Sequence, residues 1–166
     1  MRAHSLLVLI FAGLAMCGSA IAAETSIEGS WRTQNGTEVT IAPCGDAYCG
    51  YLSWVVVPPE YAEQCAADRA AFAAQMLDAR NPDPKLQSRP IVGLELMHLR
   101  PTGNDFAGDV YNAQDGSTVN NLTVWVTDGG ETLRIGGGCF GHMCIGTQDW
   151  PRVPTRPAFD FSCTPG

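Results

Sequence analysis

The sequence predicts an all-β protein: an antiparallel up-and-down eight-stranded barrel with one inserted α-helix over about residues 60–79. Three observations carry this prediction. Apolar positions alternate with period two in short runs, and turn-forming Gly, Asn, Asp and Pro separate those runs. The turns are short enough to join each run to its sequence neighbour. Only one segment abandons alternation for helical spacing.

In chain order the runs are Ile27 to Thr33, Glu38 to Ala42, Tyr48 to Val57, Pro90 to Leu99, Phe106 to Asn112, Ser117 to Thr127, Glu131 to Gly136 and Cys144 to Val153. Asn35-Gly36, Gly103-Asn104, Asp115-Gly116 and Asp128-Gly129-Gly130 supply the turns, because these residues adopt left-handed backbone angles at low cost. Between the third and fourth runs, Glu60 to Ala79 is alanine-rich and places Tyr61, Cys65, Phe72 and Met76 on one helical face. Pro59 suits the first helical position, Glu60 and Glu63 suit the positive N-terminal end, and Asn81-Pro82 is the expected stop. Consecutive strands joined by tight turns must protect two edges. Closure into a barrel removes them, and an open sandwich is the alternative.

Residues 1–22 read as a secretory signal: Arg2 is the charged start, Leu6 to Met16 the apolar stretch, and Ala20-Ile21-Ala22 the small-residue cleavage site. The apolar run is short for a membrane span, so no transmembrane anchor is expected after cleavage. An acylated Cys17 is disfavoured by the bulky Met16 before it. The domains are therefore the signal at 1–22 and one barrel domain at 23–166, and the expected location is the periplasm. A formal net charge of -7, with Lys85 the sole lysine, leaves no basic footprint for nucleic acid.

Removing Cys17 with the signal reduces the seven cysteines to an even set, which in an oxidising compartment points to disulfides. Cys44 and Cys49 bracket four residues, as do Cys139 and Cys144, so each pair fits a hairpin end. Local pairing leaves Cys65 and Cys163, a bridge that would pin the helix to the C-terminal tail, across one mouth of the barrel. The chain-entropy model assigns this long loop about 4.7 kcal/mol and each short loop roughly 2 kcal/mol. Cys139, His142 and Cys144, completed by Cys44 and Cys49, form a competing metal-site reading, but paired zinc cysteines usually have two residues between them rather than four. Disulfides are preferred, and no metal and no cofactor is expected.

Motifs for nucleophilic, zinc-dependent, phosphate-binding or dinucleotide chemistry are absent from the sequence, and the mature chain holds only His98 and His142 as histidines. Asp109, Asn112 and Asp115 miss the spacing of a calcium loop and fit a solvated hairpin end better. Glu95 alternates against Leu94 and Leu96 and is expected to face solvent; were it interior, Arg100 or Arg152 would be its partner. Trp54 alternates with Leu52 and Val56 and is expected inward, whereas Trp125 is expected outward.

Gly29-x-Trp31, Cys44-Gly45 with Cys49-Gly50, Asn81-Pro82-Asp83-Pro84, Ser88-Arg89-Pro90 with Gly93, Gly108-x-x-Tyr111-Asn112 with Asp115-Gly116, and Trp150-x-Arg152 occur in a telling order. Their order and spacing resemble the bacterial domain-of-unknown-function family 2147. The resemblance covers essentially the whole mature chain and implies a small exported protein with a lipocalin-like barrel and no established biochemical activity. Gly29-x-Trp31 is also similar to the opening motif of lipocalins, which implies that Trp31 closes one barrel end beneath Arg152. The cysteine-bearing helix and the tail with Cys163 depart from the family pattern together.

The expected function is binding of a small apolar or amphipathic molecule in the barrel. Leu52, Trp54, Val56, Leu94, Leu96, Val124 and Val126 would line the interior, with Tyr111 as a polar contact. An envelope protein-interaction module with a filled barrel is the second reading, presenting either the Asn81 to Arg89 loop or the pinned helix. A hydrolase using Glu95, Asp109 or Tyr111 is the third.

Overall fold

Period-two alternation gives each strand an apolar inner face, and the sheet built from those strands closes on itself. A computed structural model describes residues 26–156 and 158–163; the signal reading and Cys17 lie outside the described residues. The strands are β1 (Gly29–Arg32), β2 (Glu38–Cys44), β3 (Ala47–Val56), β4 (Glu95–Thr102), β5 (Asp105–Asn112), β6 (Ser117–Thr127), β7 (Thr132–Gly137) and β8 (Gly146–Val153). Each pairs antiparallel with its sequence neighbours, and β1 pairs with β8 through Ser30 with Val153 and Trp31 with Arg152, which completes an eight-stranded up-and-down barrel. The loops at 33–37, 57–94, 113–116 and 138–145 gather at one end, the mouth. Hairpins at 45–46, 103–104 and 128–131 gather at the other.

That second end is filled. Trp31 is fully buried and donates its indole N–H to the Ile27 carbonyl at 2.9 Å. The Arg152 guanidinium lies 4.0 Å from the Trp31 ring centroid and donates to the carbonyls of Gly130, Glu28 and Ser26. Such a cation–π contact contributes on the order of 1 kcal/mol, and the hydrogen bonds close the end against water. Ile41, Met97, Leu99, Val124 and Leu133 pack above Trp31 as one apolar core.

Three bulges alter the alternation, one of them on β6, where Gly108 faces Leu122 but Val110 faces Val119. Val39 faces Leu52 while Glu38 faces Trp54, so Ser53 is an extra residue on β3. Trp54 is therefore on the outer face beside Glu38, where Arg156 stacks on it at 3.8 Å, and it does not share the Leu52 face as alternation predicts. On β4, Gly50 faces Met97 and Tyr51 faces Glu95, leaving Leu96 as the extra residue.

The expected single helix is instead three short pieces: a 3-10 turn (Pro59–Tyr61), α1 (Ala62–Ala67) and α2 (Arg69–Gln75). Asp68 causes the break. It sits in extended conformation between α1 and α2, and its carboxylate accepts the Ala71 N–H at 3.0 Å, capping α2. The helical segment stops at Gln75 rather than at Asn81-Pro82, because Leu77 turns to bridge Pro90 and the Ile91 N–H bonds the Met76 carbonyl. Those same contacts hold residues 90–94 outside the strand, so β4 starts at Glu95.

A further strand, β9 (Asp160–Ser162), pairs parallel with Trp54, Val55 and Val56 of β3. The disulfides are Cys44–Cys49, Cys65–Cys163 and Cys139–Cys144. Cys65, Cys163, Val57 and Phe161 form a second small core, flanked by Phe72 and Met76, on the side of the barrel. Arg69 locks it from outside by bonding Asp160 and the Phe161 carbonyl. The two hairpin-end disulfides occupy opposite ends of the barrel, which removes the metal reading that joined them. Among the described residues, no helix is long and apolar enough to cross a membrane.

Candidate functional site

Above the packed end, the barrel is not filled. A cavity of about 440 Å³ opens at the mouth, with Val39, Leu52, Val55, Leu96, Val110 and Trp150 as apolar wall and Asn35, Gln114, Ser117 and Gln148 as polar lining. A second cavity of about 300 Å³ shares Val110, Val119, Gln148 and Trp150 with the first. Leu52, Leu96 and Tyr111 of the expected set line the larger cavity. Val124 is in the core beneath it, and Val126 is half-buried against that core. Leu94 is buried but is not a lining residue, and Val56 is likewise absent from the wall. Alternation missed Val55, Val110 and Trp150: one follows the Ser53 bulge, and the others sit on strands whose turn-proximal ends are half-exposed. The helices do not cross the mouth, since it is Leu77 and Ile91 from the loop after them that border the cavity.

The mouth is braced by a buried polar cluster that sequence reading did not assemble. Asp78 is fully buried in the 57–94 loop. Its Oδ1 accepts the Tyr111 hydroxyl at 2.6 Å, and its Oδ2 accepts Asn81 Nδ2 and Arg89 Nε, each at 2.8 Å. Asn81 Nδ2 also donates to the Tyr111 oxygen at 3.1 Å. Burial alone would raise the Asp78 carboxyl, but hydrogen bonds from Tyr111, Asn81 and Arg89 outweigh it and hold the group below the ordinary value. Burial pushes the Tyr111 hydroxyl up, and donation to Asp78 adds to the shift. The Tyr111 proton is thus committed to Asp78, so the ring, rather than a free hydroxyl donor, is what Tyr111 offers the cavity.

The same loop meets the β5–β6 turn closely. Gly116 has φ +78°, and a Cβ built there would fall 1.9 Å from the Arg80 carbonyl oxygen, so only glycine fits. Asn81, Arg89 and the pair Tyr111 and Gly116 belong to three sequence motifs that the fold brings together. Tyr111→Phe is expected to lower the unfolding free energy by about 1.5–3 kcal/mol, since a charged acceptor loses a buried donor. Urea denaturation followed by tryptophan fluorescence measures this.

The outer face holds a second buried carboxylate. Glu38 is fully buried between Arg32, 2.8 Å away, and Arg156. Burial works to raise the Glu38 carboxyl, and hydrogen bonds from Arg156 and then Arg32 overcome it and lower it. No access to the cavity follows from this position.

Glu95 is exposed and pairs with His98 at 3.2 Å, rather than with Arg100 or Arg152. Asp109 is exposed and accepts the Asn121 N–H, while Asn112 and Asp115 bond each other at a hairpin end. Trp125 points outward and is covered by His142, stacked 4.4 Å away, which also pairs with Asp105. Beside it, the disulfide-bracketed loop projects Phe140, Met143 and Ile145, exposed by 83%, 73% and 93%.

A family model described as "Uncharacterized protein conserved in bacteria (DUF2147)" matches residues 29–152, the span from Gly29 to Arg152. No curated protein and no solved structure matches the chain.

Proposed function

We propose that this chain, which belongs to the bacterial DUF2147 family, is a non-enzymatic periplasmic protein that takes a small apolar or amphipathic molecule into its barrel mouth. The carrying observation is the cavity of about 440 Å³, apolar in depth and polar at the rim, above a core that fills the other end. Binding pockets for small molecules run from about 300 to 1,000 Å³ with this distribution of polarity. Residues 1–22 and three disulfides support an oxidising location outside the cytoplasm. Hydrolysis draws no support from the carboxylates: Glu95 and Asp109 are on the outer surface, and both Asp78 oxygens already accept hydrogen bonds. The acidic balance argues against nucleic acid as a partner.

The test is native against denaturing mass spectrometry of protein purified from the periplasm. A molecule present only in the native spectrum, with occupancy reduced at least tenfold by Val110→Trp, is the expected result. Equal occupancy in a folded Val110→Trp variant would sink the reading. A consistently empty barrel would instead favour an envelope interaction module, for which the exposed Phe140, Met143 and Ile145 are the supporting observation.

A further inference from the structure

One cluster on the outer face is used neither by the cavity nor by its braces. Cys44, Cys49 and His98 bring their Sγ and ring nitrogen atoms within 4.8 Å of one another. His98 Nδ1 is 3.6 Å from Cys49 Sγ and 3.2 Å from Glu95 Oε1. The β2–β3–β4 register fixes this arrangement, since Ala42, Cys49 and His98 stand side by side across the sheet.

Those spacings match a metal coordination shell. With zinc–sulfur bonds near 2.3 Å and zinc–nitrogen or zinc–oxygen bonds near 2.0–2.1 Å, tetrahedral angles put S···N at about 3.6 Å and N···O at about 3.3 Å. Two thiolates would stand about 3.8 Å apart by the same geometry, and the disulfide is what prevents this. We propose that the Cys44–Cys49 disulfide is a redox gate over a zinc-class metal site whose ligands are the two thiolates, His98 Nδ1 and, once its exposed side chain rotates toward the sulfurs, the Glu95 carboxylate.

Opening the gate requires a dithiol reductant, such as a dithiol oxidoreductase of the envelope. One donor thiolate attacks Sγ of Cys44, the less buried cysteine, and the Cys44–Cys49 bond breaks with its electron pair on Cys49. The proton given up by the first donor thiol passes to the leaving Cys49 thiolate, with the His98 ring, 3.6 Å from Cys49 Sγ, placed to relay it. The second donor thiol then attacks the mixed disulfide and releases Cys44. Two electrons and two protons pass to the cysteines, and the donor becomes a disulfide. Metal binding displaces the thiol protons and takes His98 in its neutral form.

The test uses the full mature chain in the Cys139→Ser/Cys144→Ser background, which removes the other hairpin-end pair and its neighbour His142 from contention. A trialkylphosphine is titrated in, alkylation and peptide mass mapping identify the cysteines freed, far-UV circular dichroism reports the fold, and Co²⁺ is the probe. The expected result is one Co²⁺ per reduced folded chain with thiolate charge-transfer and tetrahedral visible bands. Zn²⁺ should displace it, and His98→Ala and Glu95→Gln should each weaken it at least tenfold. Unchanged binding in His98→Ala overturns the proposal. So does the absence of the bands when Cys44 and Cys49 are free in folded protein, or failure to free them without losing the fold.

Discussion

Replacing Cys65 and Cys163 together by alanine is expected to lower the unfolding free energy by about 4–5 kcal/mol, more than any other disulfide change in the chain. The two cysteines are 98 residues apart, and the chain-entropy model gives a loop of that size about 4.7 kcal/mol. Cys44 and Cys49 are only five apart, and the same model gives about 2 kcal/mol for their loop. Native-state packing adds to the difference. Both Cys65 and Cys163 are buried in the small core with Val57 and Phe161, so alanine also removes apolar contacts there. Damage should be local before it is global: α1, α2 and β9 are tied to one another by this bridge, the small core around it and the Arg69 bonds, whereas β1 to β8 hold one another by closure. Guanidinium denaturation measures the total. Amide exchange then distinguishes regions, with faster exchange expected over 59–75 and 160–162 and little change in β5 to β7. An equal loss from Cys44→Ala/Cys49→Ala would show that loop length does not set the order.

What sequence reading recovered, and what escaped it, divides along the range of the interactions concerned. Strand faces in the second half of β6 were legible because period-two alternation is a local signal, and Val124 and Val126 point as the pattern requires. Trp54 was not, because the extra residue Ser53 inverts the pattern and only the pairing of Glu38 with Trp54 reveals the bulge. Asp68 broke the expected helix by a local mechanism that a cap-seeking reading of Asp68 followed by Ala71 would find. Strand β9 has three residues and no period of its own; its place depends on β3 and on the bridge to Cys65. The brace at the mouth was half visible. Asn81, Arg89 and Tyr111 stand in recognisable motifs, but Asp78, which joins them, falls within the span whose composition and spacing predict a helix. Nothing near Asp78 in sequence announces a tyrosine donor from β5.

Glu38 illustrates the cost of such a hidden long-range partner. Glu38→Ala is expected to destabilise the protein by about 3 kcal/mol, the lower end of the range for removing one member of a buried charge pair. The lower end applies because Arg32 and Arg156 are partly exposed and regain water when the carboxylate is lost. Arg156 would also lose its anchor over Trp54, freeing the segment that leads to β9. Glu38→Gln separates charge from shape, since the amide keeps the volume and still accepts a hydrogen bond but leaves two guanidinium groups without a counter-ion. The pH dependence gives an independent reading. Glu38 titrates lower in the folded chain than in the unfolded chain, so its stabilisation is complete above the unfolded value, near pH 4.3, and is lost as pH falls through the folded one. Between pH 5 and pH 3 the native protein should therefore lose stability more steeply than Glu38→Gln, with the difference between them narrowing as the solution is acidified. Asp78 contributes a fall of the same sign to both proteins, so it cancels from the comparison. Thermal unfolding of the pair at half-unit steps of pH measures this, and parallel curves would mean that Glu38 is held by packing rather than by its two arginines.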